Sequence, residues 1–157
     1  MVAGEAQGHS IPGLRAVRIP VRPAWLGVIL VGGAVGTSLR AALEDAWGAG
    51  PGEWPWATFW INVAGSFLLG VLLEALAASR LGRTWRRGLQ LGVGTGVLGG
   101  FTTYSTFSVE TTRLLEGGQW PVGLLYALTS VVVGVVAAAG GIGAVRRLGS
   151  RPAGGER

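Results

Sequence analysis

The chain has no cysteine, no lysine and a single histidine. Charged residues make up only 13% of its 157 positions, against about 25% in soluble globular proteins. Each shortage removes a class of chemistry. Without cysteine there is no disulfide, no thiolate metal site and no cysteine nucleophile, and His9 stands in a polar tail with no partner at ligand spacing. No base, nucleophile and acid fall into a catalytic grouping, which speaks against an enzyme. A chain without thiols also leaves its redox compartment unreadable.

What is plentiful is apolar. Hydrophobic residues account for 49% of the chain, and they are gathered into runs. A hydrocarbon core about 30 Å thick needs roughly 20 apolar residues per helix. Four runs meet that need with short connections, at about residues 24–43, 57–78, 88–112 and 120–144. The expected architecture is an all-α integral membrane protein, with a four-helix domain over residues 23–148. A basic arm (1–22), rich in glycine, proline and arginine, precedes it, and a polar tail (149–157) follows. The first run exceeds a signal-peptide core and lacks a small-residue cleavage site behind it, so it counts as a span. Trp25 and Trp47 flank it, while Trp54 and Trp56 lead into the second run, where interfacial anchors belong.

The net charge of +5 comes entirely from arginine. Such a bias would suggest nucleic acid in a soluble protein, but these arginines stand at the ends of apolar runs rather than along one face. Phospholipid headgroups are therefore the expected partner, and nucleic acid is not. Arg15, Arg18 and Arg22 lie in the arm, Arg80, Arg83, Arg86 and Arg87 in the second loop, and Arg146, Arg147, Arg151 and Arg157 after the fourth run. For four spans these share one side of the membrane, and only Arg40 and Arg113 lie on the other. The positive-inside rule then favours both termini in the cytoplasm. Glu44, Asp45, Glu53, Glu110 and Glu116 lie on or toward the opposite face.

The third run makes a poor membrane helix. Between Gly92 and Ser108 it holds Gly94, Gly96 and the adjacent pair Gly99-Gly100. Each glycine costs about 1 kcal/mol of helix propensity relative to alanine, and the pair is where the chain is expected to unwind. Carbonyls freed by a break cost several kcal/mol each in hydrocarbon unless they meet protein, water or an ion. Unwound carbonyls suit a small hard cation. Half-helix amide ends and the hydroxyls of Thr102, Thr103, Ser105, Thr106 and Ser108 can donate to an anion. Tyr104 and Phe107, three apart, add two rings whose edges carry partial positive charge. Packing is the competing account, since small residues make helix contacts and membrane serines and threonines return their hydroxyls to the i−4 carbonyl. Packing alone does not call for five hydroxyls, a glycine pair and two spaced rings in one short stretch. Gly94-Thr95-Gly96-Val97-Leu98-Gly99 matches a bare nucleotide-loop pattern, but no strand precedes it and no lysine exists to complete it.

Other polar residues sit inside the apolar runs. Asn62, near the middle of the second, is either an interhelical hydrogen bond or a donor to a passing anion. Tyr126, Ser130 and Gly134 share a face beside Thr129, as a polar track or as a seam against another helix. Arg40 is a snorkelling anchor or a positive mouth. Glu74 and Glu110 stand toward the ends of their runs. The absence of a midplane carboxylate disfavours a small cation exporter.

Four stretches carry a family resemblance: Gly32-Gly33-x-x-Gly36 with Arg40; Thr58-x3-Asn62-x2-Gly65-Ser66-Phe67-x2-Gly70; Gly99 through Ser108 followed by Glu110; and Tyr126-x3-Ser130-x3-Gly134. In this order the chain resembles the fluoride channels called Fluc or CrcB across nearly all of its length after residue 24. The resemblance implies an inverted dimer of two four-helix subunits with a broken third helix. It also implies two fluoride paths at the subunit interface, passive export of cytoplasmic fluoride, and a structural sodium ion at the dimer centre. By position, the carbonyls of Gly99 and Thr102 would hold the sodium. Asn62, Tyr104, Phe107, Ser105, Thr106, Tyr126 and Ser130 would border the path, with Arg40 and Glu110 at its mouth or supporting it. Two departures matter. Tyr104 stands where the family pattern has phenylalanine, and its hydroxyl either reaches into the path or points to neighbouring helices. The arginine imbalance, moreover, favours pairing with a homologous subunit of opposite bias over a homodimer.

Overall fold

Proline is tolerated in the first turn of a helix, where its missing N–H would have no helical partner, and Pro23 opens the first helix in this way. The computed structural model describes residues 23–150; the basic arm (1–22) and the tail from residue 151 lie outside the described residues. Among the described residues every regular element is helical: α1 (Pro23–Ala46), α2 (Trp56–Ala78), α3 (Arg83–Leu89), a π-helical segment (Gln90–Leu98), α4 (Gly99–Phe101), α5 (Tyr104–Glu116) and α6 (Trp120–Gly149). α1, α2 and α6 are long and apolar enough to cross a membrane, whereas the pieces between Arg83 and Glu116 are each too short to do so alone. The long helices expose apolar side chains outward, with Leu30 72%, Val31 68% and Val135 66% accessible. Surface of that kind is stable only against lipid or protein. The chain is a multi-pass membrane protein.

Glycine seams bring the helices together. A Cβ on Gly36 would overlap the Val97 carbonyl oxygen and lie 2.8 Å from the Phe101 nitrogen, and one on Gly32 would overlap the Gly92 carbonyl. α1 therefore lies directly on the backbone of the π-helical segment and α4. A second seam joins α2 to α6, where Gly70 faces Ala138 and Gly141 faces the Phe67 carbonyl. Small residues that permit such approach are the usual means of helix association in lipid, where no hydrophobic force separates helix from tail.

The glycine pair does not unwind. Gly99 keeps helical angles (φ −66, ψ −34) and Gly99–Phe101 remains α-helical. Helical geometry stops three residues later, at Thr102 (ψ 154) and Thr103 (φ −144, ψ 123). The physical reason is that Gly100 serves close approach, a Cβ there lying 3.1 Å from the Gly33 Cα. Thr103, by contrast, is β-branched and at ease in extended backbone, and its hydroxyl caps the next helix by accepting from the Thr106 N–H at 3.0 Å.

α5 ends in a Schellman turn. Gly118 has φ +78, its N–H donates to the Leu115 carbonyl at 3.1 Å, and the Gln119 N–H donates to Leu114 at 2.9 Å. α6 begins at once, so α5 and α6 pack as neighbours. Two ends of the bundle result. At one, Trp25 lies against Gly88 and Arg146 pairs with Glu74 at 2.9 Å, gathering Arg80, Arg83, Arg86, Arg87, Arg146 and Arg147. At the other, Gln119 lies against Gly52 beside Glu53 and Glu110, and Glu44, Asp45 and Glu116 fall at the helix ends nearby in sequence.

Candidate functional site

In a continuous helix the N–H of each residue would go to the carbonyl four residues back. At the interruption these bonds are redirected. The Thr103 N–H, which would have reached the Gly99 carbonyl, donates instead to Asn62 Oδ1 at 2.9 Å, and Asn62 Nδ2 donates to the Thr103 carbonyl at 3.0 Å. The single amide of Asn62 thus binds both backbone groups of Thr103 and pins the extended residue to α2. The Thr106 N–H, which would have reached the Thr102 carbonyl, goes to Thr103 Oγ1. Arg40 Nε donates to the Gly100 carbonyl at 3.3 Å, and its Nη1 pairs with Glu44 at 3.0 Å.

Two sets of backbone groups have no hydrogen-bond partner at the interruption among the described residues: the carbonyls of Gly99, Phe101 and Thr102, and the first N–H groups of α5, on Tyr104 and Ser105. The first set is negative and the second positive. Unsatisfied carbonyl oxygens such as those of Gly99 and Thr102 fit a hard cation that takes oxygen ligands, and no group of histidine, aspartate or glutamate among the described residues offers an alternative metal site. Gly65 is part of this arrangement, because a Cβ there would overlap the Thr102 methyl. Only glycine lets α2 come so near the interruption.

The interruption borders an open groove of about 360 Å³, lined by Asn62, Gly99, Thr102, Tyr104, Phe107 and Ser130 among others. Six of the residues singled out from the sequence therefore meet on one surface. Tyr104 is 81% exposed and Phe107 half-buried, with ring centroids 6.0 Å apart. Ser130 Oγ is buried beside the groove with no hydrogen-bond partner among the described residues.

Three residues of the same set do not line the groove. Ser105 and Thr106 turn their hydroxyls to Thr103 Oγ1, at 3.2 and 3.0 Å. Tyr126 is fully buried behind Phe107, with ring centroids 5.4 Å apart, and its hydroxyl donates to Glu110 Oε2 at 2.8 Å. The face shared by Tyr126, Ser130 and Gly134 is thus divided, with Gly134 turned to Ser66 of α2 and Ser130 left to the groove. Trp54, expected as a lipid-facing anchor, is half-buried edge-on against Tyr126 and Phe59 at 5.4 and 5.9 Å, because the space between those rings admits it. Trp56, 55% exposed, is free to be one.

Thr58 heads one of the motif stretches, but the sequence assigns it no role. It is fully buried, and its hydroxyl donates to Glu110 Oε1 at 2.8 Å, so that Thr58 and Tyr126 together hold both carboxylate oxygens. The signal was available, since Thr58 stands one helical turn before Asn62 on the same face. Glu110 also lines a second hollow, of about 610 Å³, with Glu53, Arg113 and Gln119 at the acidic end of the bundle. Glu110 thus joins this cluster to the second hollow, and Phe107, packed against Tyr126, lines the first.

The geometry defines a class: a helical, multi-pass membrane protein in which redirected backbone hydrogen bonds leave unpaired amide and carbonyl dipoles and aromatic edges along a largely apolar groove. Comparison with known proteins makes this specific. The profile described as CrcB-like protein, Camphor Resistance (CrcB), matches residues 27–142, and the chain belongs to that family. It is 43% identical over 125 residues to a protein of Cutibacterium acnes named fluoride-specific ion channel FluC 1, covering 80% of this chain and 87% of that one. It is 42% identical over 139 residues to fluoride-specific ion channel FluC 2 of Nocardia farcinica, covering 82% and 94%. With fluoride-specific ion channel FluC of Novosphingobium aromaticivorans the identity is 46% over 110 residues, covering 68% and 84%.

Proposed function

We propose that the chain is one subunit of a dimeric fluoride channel, a passive conduit and not an enzyme, and that the groove beside Thr102 and Thr103 becomes a fluoride path when a second subunit covers it. The observation that carries this reading is the pinned interruption, with its free N–H groups, beside the ring of Phe107. Fluoride is small and strongly hydrated, so a path must replace its water with donors. Here those are the α5 amide end, the remaining N–H of Asn62, the Ser130 hydroxyl and the edges of Tyr104 and Phe107. Family membership and the names of the relatives support the same ion.

On this reading α3, the π-helical segment, α4 and α5 together form a third, broken span, giving four crossings and both termini in the cytoplasm. The free carbonyls of Gly99 and Thr102 would face their counterparts in an inverted partner and hold a sodium ion. When bound, that ion would supply the positive charge which keeps four carbonyl dipoles together at the dimer centre. Arg40 and Glu110 serve as supports, one satisfying the Gly100 carbonyl and the other positioned by Thr58 and Tyr126.

Purified protein in liposomes is expected to release fluoride and retain chloride; no fluoride release would leave only a packing role for the glycine seams. Tyr104→Phe is expected to retain efflux, since its ring edge remains and its hydroxyl makes no hydrogen bond among the described residues. Phe107→Ile is expected to reduce efflux at least tenfold, about the loss of one 1.4 kcal/mol interaction with the ion. Unaltered flux in the second variant would remove the ring-edge role.

The charge asymmetry of the two ends supports pairing with a homologous subunit of opposite bias rather than with a second copy inserted upside down. The numbered names FluC 1 and FluC 2 among the relatives fit two such copies. Tags on both termini of the chain expressed alone should be reachable from the cytoplasmic side only, and a mixture of orientations would favour the homodimer.

A further inference from the structure

The arginines that a fluoride path leaves unused gather at one end of the bundle, and we propose that this end binds the headgroups of anionic phospholipid of the phosphatidylglycerol kind. Arg80, Arg83, Arg86 and Arg87 surround the turn between α2 and α3. The fold brings Arg146 and Arg147 beside them, because Arg146 Nε pairs with Glu74 of α2 at 2.9 Å. Arg86 donates to the Ser79 carbonyl at 3.1 Å and so fixes α3 against the end of α2. Arg80, Arg83, Arg87 and Arg147 make no ion pair among the described residues, and Glu74 is the one acid at this end among them.

The neighbours of these arginines decide between lipid and a soluble anion. Trp85 is 73% exposed, Leu81 44% and Leu148 66%, so exposed apolar side chains are interleaved in the chain with these arginines. Tryptophan at the level of the headgroups and apolar residues below it are what a membrane surface accommodates. The planar guanidinium matches phosphate oxygens two at a time. A free phosphate ion would satisfy the arginines and leave Trp85, Leu81 and Leu148 in water, whereas a lipid covers both. The surface is separate from the groove at Thr102 and Thr103, and nothing in it depends on which ion the chain conducts.

The test is native mass spectrometry of the full chain released from micelles containing equal phosphatidylglycerol and phosphatidylcholine. Each basic residue near an anionic surface contributes roughly fivefold to partitioning, so retention of phosphatidylglycerol is expected to exceed that of phosphatidylcholine about tenfold or more. Arg80→Gln with Arg83→Gln should reduce the preference several-fold, and adding Arg87→Gln and Arg147→Gln should abolish it. Arg113→Gln, at the opposite end, should leave it intact. Phosphatidylglycerol should raise the thermal unfolding midpoint of the native chain, and inorganic phosphate at the same concentration should not. Equal retention of the two lipids by the native chain would overturn the proposal even if no variant folds. An equal shift with inorganic phosphate, or an equal loss in Arg113→Gln, would also overturn it.

Discussion

Asn62→Ala is expected to abolish fluoride efflux and to lower the stability of the folded chain by about 2–6 kcal/mol. The figure follows from the two bonds Asn62 makes. Its Oδ1 accepts from the Thr103 N–H at 2.9 Å, and its Nδ2 donates to the Thr103 carbonyl at 3.0 Å. Thr103 is 8% exposed, so truncation leaves a buried donor and a buried acceptor unpaired. Each orphaned group costs roughly 1–3 kcal/mol, with no water in the bilayer core to relieve it. With the clamp gone, Thr103 is no longer fixed to α2, and the unsatisfied backbone on which the ion reading depends loses its placement beside the groove. Thermal unfolding in detergent measures the first effect and liposome efflux the second. Full flux with unaltered stability in this variant would mean that the clamp on Thr103 has no part in holding the interruption open.

The second large effect is expected at the α1 seam. Gly36→Ala places a methyl group against the Val97 carbonyl and the Phe101 nitrogen, both backbone atoms that no rotamer change can move. Alanine would gain about 1 kcal/mol of helix propensity over glycine, while overpacking of this kind typically costs 1–3 kcal/mol and occasionally more. Because the obstacle is a neighbouring helix backbone, the upper part of that range applies and the clash wins. Gly33→Ala is the matched control, since nothing among the described residues lies within 4 Å of its added Cβ. It should be neutral or slightly stabilising. If the two variants unfold at the same temperature, α1 does not lie on the π-helical segment in the closeness described.

These two residues illustrate how far the sequence could be read. The sequence shows Asn62 as an amide in hydrocarbon, where polarity demands a partner, but does not choose between helix contact and ion donor. The structure gives the amide two bonds to Thr103 and leaves one N–H toward the groove, so it serves the backbone first. The interruption was anticipated at Gly99-Gly100 from helix propensity alone. Its displacement to Thr102 and Thr103 arises because the glycines are held helical by contact with α1, and that contact lies 60 residues or more away in the chain. Arg40 belongs to the same lesson: at the end of an apolar run it reads as an anchor, a mouth or a support, and the structure adds its bond to the Gly100 carbonyl.

By itself, the sequence determined that the chain belongs in a membrane, where its apolar runs begin and end, which end of the bundle is basic, and which short stretch concentrates glycines, hydroxyls and rings. Those follow from composition and spacing, because transfer into lipid is decided residue by residue and helical period by local geometry. Only the tertiary structure decided which of the hydroxyls face the groove and which cap a helix, that Tyr126 and Thr58 share the Glu110 carboxylate, and where the backbone leaves its helix. The Glu110 cluster and the exit from the helix are competitions for hydrogen bonds between partners 16 to 52 residues apart, and the winner is set by packing distance rather than by residue type.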